Sequence, residues 1–341
     1  MLTMDVFKQD AFSAISLTAS VDKIGYVPGL LGTIPGLFVP VPVRTEMVMI
    51  EERENAPALI QTTPRGAPVK QKGGDRSKVR AFRTVRLAEG SRITASELQN
   101  IRAFGSETEL KQLQVEVARR QAMIRANIEL TWENMRMGAV TGVVKDADNT
   151  VIYNWATEFN QSIPVEIDFD LDAASPAAGA IRKKCNLVKR SILKALKGLG
   201  GNAVRIGAIA GDAFWDDLVG HSEVEKTFLA TAQAADLRNG FGAAWETFNY
   251  GGIQWINYRG SDDDTVGVAT DKAKFFPIGA GIFQIAMSPG ESFDFVNTLG
   301  QPIYSHIVPD RDRNMYADVE QYSYPLPVCT MPSALHQARR T

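Results

Sequence analysis

The chain has 341 residues with 37 Lys and Arg against 39 Asp and Glu, for a net charge of −2, and its hydrophobic and charged fractions are 45% and 22%. This is the composition of a globular protein able to bury a large core in one big or two ordinary domains, and it offers no run of the ~20 apolar residues a membrane span needs. Asp5 and Asp10 exclude a secretory signal, and the distant Cys185 and Cys329 exclude a disulfide framework or a metal cluster, so the expectation is a soluble protein of a reducing cytoplasm with no cofactor and no membrane partner.

The first forty residues carry Pro28, Pro35, Pro40 and Pro42 among Leu30, Leu31, Ile34, Leu37 and Phe38. Proline fixes φ and pushes its predecessor toward extended geometry, so an apolar, non-helical arm lying across a surface is expected. From Val43 to Leu87 the pattern turns to strands. In KVRAFRTVRL, alternation puts Val79, Ala81, Val85 and Leu87 on one face and Lys78, Arg80, Thr84 and Arg86 on the other. VRTEMVMIEE and ALIQTT are candidate partners, giving a long two- or three-stranded ribbon that needs something to pack on.

Two capping boxes follow, Thr94 to Glu97 opening a short helix through Phe104, and Ser106 to Glu109 opening a long one that ends before Gly138. Leu110, Leu113, Val117, Ile124, Ile128 and Met135 form one apolar stripe, interrupted at Arg120 and Gln121, which reads as a strut rather than a coiled coil. GVVKDADNTVIYNW is a hairpin turning at Asp146 to Asn149. Val151 stands where a calcium loop needs Gly, so a turn is the better reading. After the acidic strand PVEIDFDLD, Ser175 and Pro176 open a helix buried along Ile181, Cys185, Val188, Ile192, Leu196 and Leu199. Its other faces hold Arg182, Lys183, Lys184, Lys189, Arg190, Lys194 and Lys197, read as solvated, with polyanion contact a secondary use. A buried strand then leads to Asp212 as a helix cap. FNYGGIQWINYRG and FFPIGAGIFQIAMSP add strands, so the class is α+β.

Catalytic signatures are missing: no phosphate-binding loop, nucleophile elbow, zinc-binding His pair or C-x-x-C occurs. His221, His306 and His336 read as capping, surface or tail residues, and Trp215, Trp245 and Trp255 as core. Charge is the stronger signal. Between Gln61 and Arg86 eight bases (Arg65, Lys70, Lys72, Arg76, Lys78, Arg80, Arg83, Arg86) face one acid, Asp75, a balance of +7. Between Ser261 and Glu320 ten acids, among them Asp262, Asp263, Asp264, Asp310 and Asp312, face four bases, a balance of −6. Complementary patches on one chain suit self-association, with the bases as contacts and those acids as partners. The alternatives are a nucleic-acid-binding protein using the basic loop 64–86 and, without a motif, a hydrolase built from distant acids.

An ordered set of segments resembles the phage major capsid protein E family, lambda-type subunits of tailed double-stranded DNA phages. The set runs from RLAEGSRITASELQNIRAFG through MRMGAVTGVVKDADNTVIYNW, IAGDAFWDDLVGHSEVEKTF, FNYGGIQWINYRG, FFPIGAGIFQIAMSP and VNTLGQPIYSH to YPLPVCTMP, over roughly residues 40 to 335. The resemblance implies the fold shared by tailed-phage and herpesvirus capsid subunits. It assigns an N-terminal arm to 1–42, an extended β-loop to 43–93, and a peripheral domain to 94–172 with spine helix 107–137 and hairpin 139–155. An axial domain would cover 173–307, and 308–341 would return to the peripheral domain. It further implies hexamers and pentamers in an icosahedral shell, non-specific contact with packaged DNA on the inner surface, and partners in a scaffolding protein or protease, a portal and a decoration protein. Assembly would occur in the host cytoplasm and the product would be the virion. Fewer than forty, proline-rich residues precede the loop, so scaffolding is expected from a separate protein. Lys70, Lys72 and Lys78 are the loop lysines, but nothing marks an activating carboxylate or acceptor Asn, so no isopeptide crosslink is expected.

Overall fold

The computed structural model describes residues 29–53, 77–100, 109–173, 176–229, 247–258, 260 and 266–341. The proline-punctuated segment opens with a one-turn helix, α1 (Leu30–Thr33), where an extended arm is expected, because Leu30 and Leu31 turn inward to the core. Strand β1 (Phe38–Pro42) follows, then β2 (Met47–Arg53), β3 (Ser77–Arg83) and β4 (Leu87–Thr94). Helix α2 (Ala95–Asn100) begins at the expected capping box: Glu97 N–H donates to Thr94 Oγ1 at 3.3 Å and Thr94 N–H to the Glu97 carboxylate at 3.1 Å.

The long helix α3 (Glu109–Thr141) runs past Gly138, and Gly142, at φ +89°, ends it instead. A Cβ on Gly138 would lie 2.8 Å from Val143 O, so this glycine serves close packing rather than termination. Val117, Ile124, Ile128 and Met135 are buried as the stripe requires. The hairpin is β5 (Val143–Lys145) and β6 (Val151–Asn154), starting four residues later than expected because α3 continues. Helix α4 (Trp155–Glu158) is capped by Asn154, and of the acidic strand only β7 (Ile167–Asp168) forms. Helix α5 (Ala180–Leu196) starts after left-handed Gly179, not at Pro176; Leu196 closes its buried face and Leu199 is exposed.

Strand β8 (Arg205–Ala210) leads into α6 (Asp212–Gly220), whose N-cap is Gly211, with Asp212 in the first turn. Next come α7 (Ser222–Leu229), β9 (Thr247–Tyr250), β10 (Ile253–Asn257), β11 (Lys272–Ile278), β12 (Phe283–Met287), β13 (Tyr304–Pro309), β14 (Tyr316–Ser323), β15 (Pro325–Cys329) and β16 (His336–Arg339). A six-stranded sheet has the order β7-β16-β11-β8-β10-β9, and two three-stranded sheets are β1-β12-β15 and β13-β14-β4. The six-stranded sheet is mixed, with β8 parallel to β10 and antiparallel to β11, as an α+β class requires. Its interior is aromatic: Phe169, Phe214, Trp255 and Phe275 pack with ring centroids 5.3 to 6.0 Å apart.

Long-range pairing cuts across the boundaries expected at 173 and 307. Strands β7 and β16 lie outside that range yet join the six-stranded sheet, β12 lies inside it and pairs with β1 and β15, and β13 runs across 307. The last segment is divided likewise, β14 and β15 packing on α3 and β16 entering the larger sheet.

Candidate functional site

The basic ribbon begins from strand alternation, and its faces are reversed relative to expectation. Phe82 is buried, with its ring 5.2 Å from Trp155 and 5.7 Å from Tyr153 and Phe159, while Val79 and Ala81 face outward. β3 stops at Arg83 and β4 starts at Leu87, so one uninterrupted alternation across Thr84 to Arg86 does not hold. Register pairs Met49 with Ala81 and Glu51 with Val79. The outer face therefore carries three exposed apolar side chains, Met49 at 74%, Val79 at 61% and Met47 at 44%, set among the exposed Glu51 and Arg83.

The described basic residues are mostly engaged within the subunit. Lys78 is exposed at the start of β3. The Arg80 guanidinium donates to the Glu158 carbonyl and lies 5.5 Å over the Phe159 ring. Arg83 meets Glu46 at 2.8 Å, and Arg86 meets Glu291 at 3.1 Å while covering Tyr322. Arg65, Lys70, Lys72 and Arg76 lie outside the described residues, as do Asp262, Asp263 and Asp264. Asp310 accepts the N–H groups of Asp312, Arg313 and Met315 at 3.1 to 3.3 Å and so shapes its own turn, and Asp312 is exposed. Within the subunit, among the described residues, Arg83 meets Glu46, Arg86 meets Glu291 and Arg92 meets Asp318, which stands opposite it in the β14–β4 register. Only strand register, which is non-local, reveals that last pair.

Along α3 the carboxylates Glu116, Glu129 and Glu133 are buried and paired with arginines. Glu116 accepts from Arg119 at 2.7 Å and Arg120 at 2.8 Å, and these hydrogen bonds, that from Arg119 foremost, hold its carboxyl down at about 2 against the opposing cost of burial. Arg120 also donates to Ser91 at 2.8 Å and Glu97 at 3.1 Å, tying β4 and α2 to the helix. Burial pushes the Glu133 carboxyl up, opposed by N–H groups of α1 and by Arg136.

The cysteines and the described histidines are packing groups. Burial pushes both thiols up to about 12, making Cys185 and Cys329 inert core residues. His221 and His336 are buried rather than superficial, His221 accepting the Glu223 N–H through Nδ1 at 3.2 Å, and His306 is half-buried beside Phe295 and Tyr322. Trp215 and Trp255 are core, and Trp245 lies outside the described residues. Among the described residues no group of His, Cys, Asp and Glu is placed to hold a metal, and no helix is long and apolar enough to cross a membrane.

Comparison with known proteins supplies the identity of this architecture. The model of phage major capsid protein E matches residues 13–340. The major capsid protein of Salmonella phage Felix O1 is 25% identical, with 97% of each chain covered. That of Pseudomonas phage KPP10 is 28% identical over 87% of this chain and 88% of its own. Among solved structures, the capsid of Myoviridae phage XM1 is similar over 93% of this chain and 94% of its own, with 11% identity and a TM-score of 0.48. The capsid of cyanophage P-SCSP1u is similar over 93% and 90%, with 8% identity and the same TM-score. The nucleic-acid-binding and hydrolase alternatives find no support among these relatives, and the chain belongs to the phage major capsid protein E family, a structural protein of the virion capsid of a tailed phage and not an enzyme.

Proposed function

We propose that the subunit assembles into hexamers and pentamers of an icosahedral shell, with the β2–β3 ribbon clasping a neighbouring copy. The observation that carries this reading is the ribbon's outer face. Met47, Met49 and Val79 stand exposed on a sheet whose inner face is already filled by Phe82, Val48 and Ile50. Exposed Met and Val side chains set among charges on a two-stranded ribbon support an interaction surface, and a second copy is the partner present at the highest concentration in a shell. Charge has the subsidiary role. Arg80 and Arg86 tie the ribbon's base to its own subunit and Arg83 pairs with Glu46 inside the ribbon, and in this reading Lys78 and the loop bases Arg65, Lys70, Lys72 and Arg76 contact a neighbour.

Packaged DNA is the second partner in this reading. Seven bases and no acid occupy residues 180–197, so α5 offers a cationic surface to phosphates without sequence preference. In the same reading a separate scaffolding protein directs assembly in the host cytoplasm, a portal closes the shell and a decoration protein covers it. Imaging of the purified chain, with and without its scaffold, tests the proposal. Rings or shells are expected, and deletion of Gly66 to Lys78 leaves a folded subunit that does not form them. Persistent monomers of the intact chain under both conditions would overturn it.

A further inference from the structure

Strand β4 forms one side of the β13-β14-β4 sheet, so half of its backbone hydrogen-bonding groups point away from β14. Three bonds show which half. Arg120 donates to Arg92 O, the Thr94 N–H donates to the Glu97 carboxylate, and the Ala95 N–H turns back to Met315 O at the end of the ladder. Ala88, Gly90 and Arg92 therefore present their N–H groups at the outer edge, and Ala88 and Gly90 their carbonyls as well. All three residues are exposed, and among the described residues these groups have no partner. Neither a proline nor a bulge blunts the strand, the usual protection of an exposed edge.

Helix α3 adds an apolar wall along this edge. Arg120 donates to Ser91 and Asn127 to Glu89, the latter at 2.9 Å, so that side of the helix overhangs β4. Met123 and Leu130 each stand three residues further on, on the adjoining strip of the helix, and are 59% and 45% exposed. Glu89 supplies charge: it is exposed, and its partner among the described residues is the neutral Asn127 amide. The edge thus suits an extended chain with apolar side chains toward α3 and a base close by.

Residues 58–63, ALIQTT, have those properties. They lie between Pro57 and Pro64, include the β-branched Ile60, Thr62 and Thr63, and place Ala58 and Ile60 on one face of a strand. Arg65 follows, and residues 61–76 carry four bases against the single acid Asp75, a charge complementary to Glu89. The segment lies outside the described residues, in the connection 54–76 between Arg53 and Ser77, which are paired at the end of the ribbon. Half of that connection, extended at ~3.3 Å per residue, reaches ~35 Å past the ribbon, far enough to cross onto an adjacent subunit.

We infer that residues 58–63 of a second copy of this chain add to the outer edge of β4 as a fourth strand, with Ile60 against Met123 and Leu130. This rests on the assembly reading above and names the surface that the ribbon's loop clasps.

Amide exchange in the full chain, compared between unassembled subunits and purified particles, tests the contact. The amides of Ala88, Gly90 and Arg92 and those of residues 58–63 are expected to slow together on assembly, by about tenfold or more. Ala88→Pro removes an outward N–H that the β14–β4 ladder does not use, so the variant is expected to fold and to form no particles. Ala88→Ser keeps that N–H and is expected to assemble like the parent. Where Ala88→Pro does not fold, the exchange comparison on the parent decides the matter alone. Edge amides that stay fast in particles, that are already slow in the unassembled subunit, or that slow while 58–63 does not would overturn the strand addition. So would an Ala88→Pro chain that assembles normally, and each of these results leaves the shell reading standing. Failure of the parent chain to assemble would overturn both.

Discussion

The Glu133 carboxylate, on the long helix, accepts the Leu31 N–H at 2.7 Å inside the protein, and so fastens the root of the N-terminal segment to the spine of the subunit. Arg136 donates to its other oxygen at 3.3 Å, and the same carboxylate helps burial raise the Tyr258 hydroxyl just past β10. Arm root, helix and six-stranded sheet therefore meet at one acid. Glu133→Ala strands the Leu31 N–H and the Arg136 charge and should cost about 3 kcal/mol in chemical denaturation. Burial holds the carboxyl above its ordinary 4.5 in the folded state. A raised carboxyl contributes stability that is complete below the unfolded value and is lost as pH rises through the folded one. Glu133→Gln does not titrate, so its stability relative to the parent should improve between pH 4 and pH 7, and a constant difference would refute the burial argument.

Phe82 and Val79, three residues apart on β3, should behave in opposite ways. Phe82→Ala empties the contact with Trp155, Tyr153 and Phe159 and should cost about 3–5 kcal/mol of folding stability. Val79→Ser and Met49→Ser alter solvated positions, should stay within about 0.5 kcal/mol of the parent in denaturation, and should impair particle formation. Scoring both properties in each variant separates the two faces of the ribbon.

That contrast also marks where sequence reasoning stops. The buried stripe Val117, Ile124, Ile128 and Met135 is legible because helical period is local, and the Thr94–Glu97 cap for the same reason. The ribbon's inner face is not, since it depends on a strand ending at Arg83, which is decided by where Phe82 finds aromatic partners. Sheet membership is equally remote: β1 lies parallel to β12, and β16 slots between β7 and β11. At the candidate site the positive charge of 64–86 is legible as charge, but Arg86 reaches Glu291, 205 positions away, and no local pattern signals such a partner.

Gly138 gives a test in which two local rules oppose each other. In an isolated helix, alanine is favoured over glycine by about 1 kcal/mol. Here a Cβ would stand 2.8 Å from Val143 O and Val144 Cα, both backbone atoms of the hairpin that folds against the helix. Gly138→Ala should therefore lower the melting temperature in spite of its better propensity, by pushing β5 away from α3. A rise would mean that the helix and hairpin are not in this close contact.

Glu116 predicts the acid limit of the subunit. Its hydrogen bonds to Arg119 and Arg120 hold the carboxyl at about 2, below the 4.5 of the unfolded chain. A depressed carboxyl contributes stability that is present above the unfolded value and lost as pH falls toward the folded one, so the loss should spread from about pH 4.5 down to 2. Linkage bounds it at about 3 kcal/mol, and solvent screening through the exposed Arg119 reduces that figure. Glu116→Gln should be less stable than the parent at pH 7, with the gap narrowing as the pH falls to 3. Because Arg120 joins Glu116 to Ser91 and Glu97, the same substitution should increase amide exchange in β4 and α2 before it affects the six-stranded sheet. Equal loosening of both regions would show that this ion cluster does not organise the helix's contact with β4.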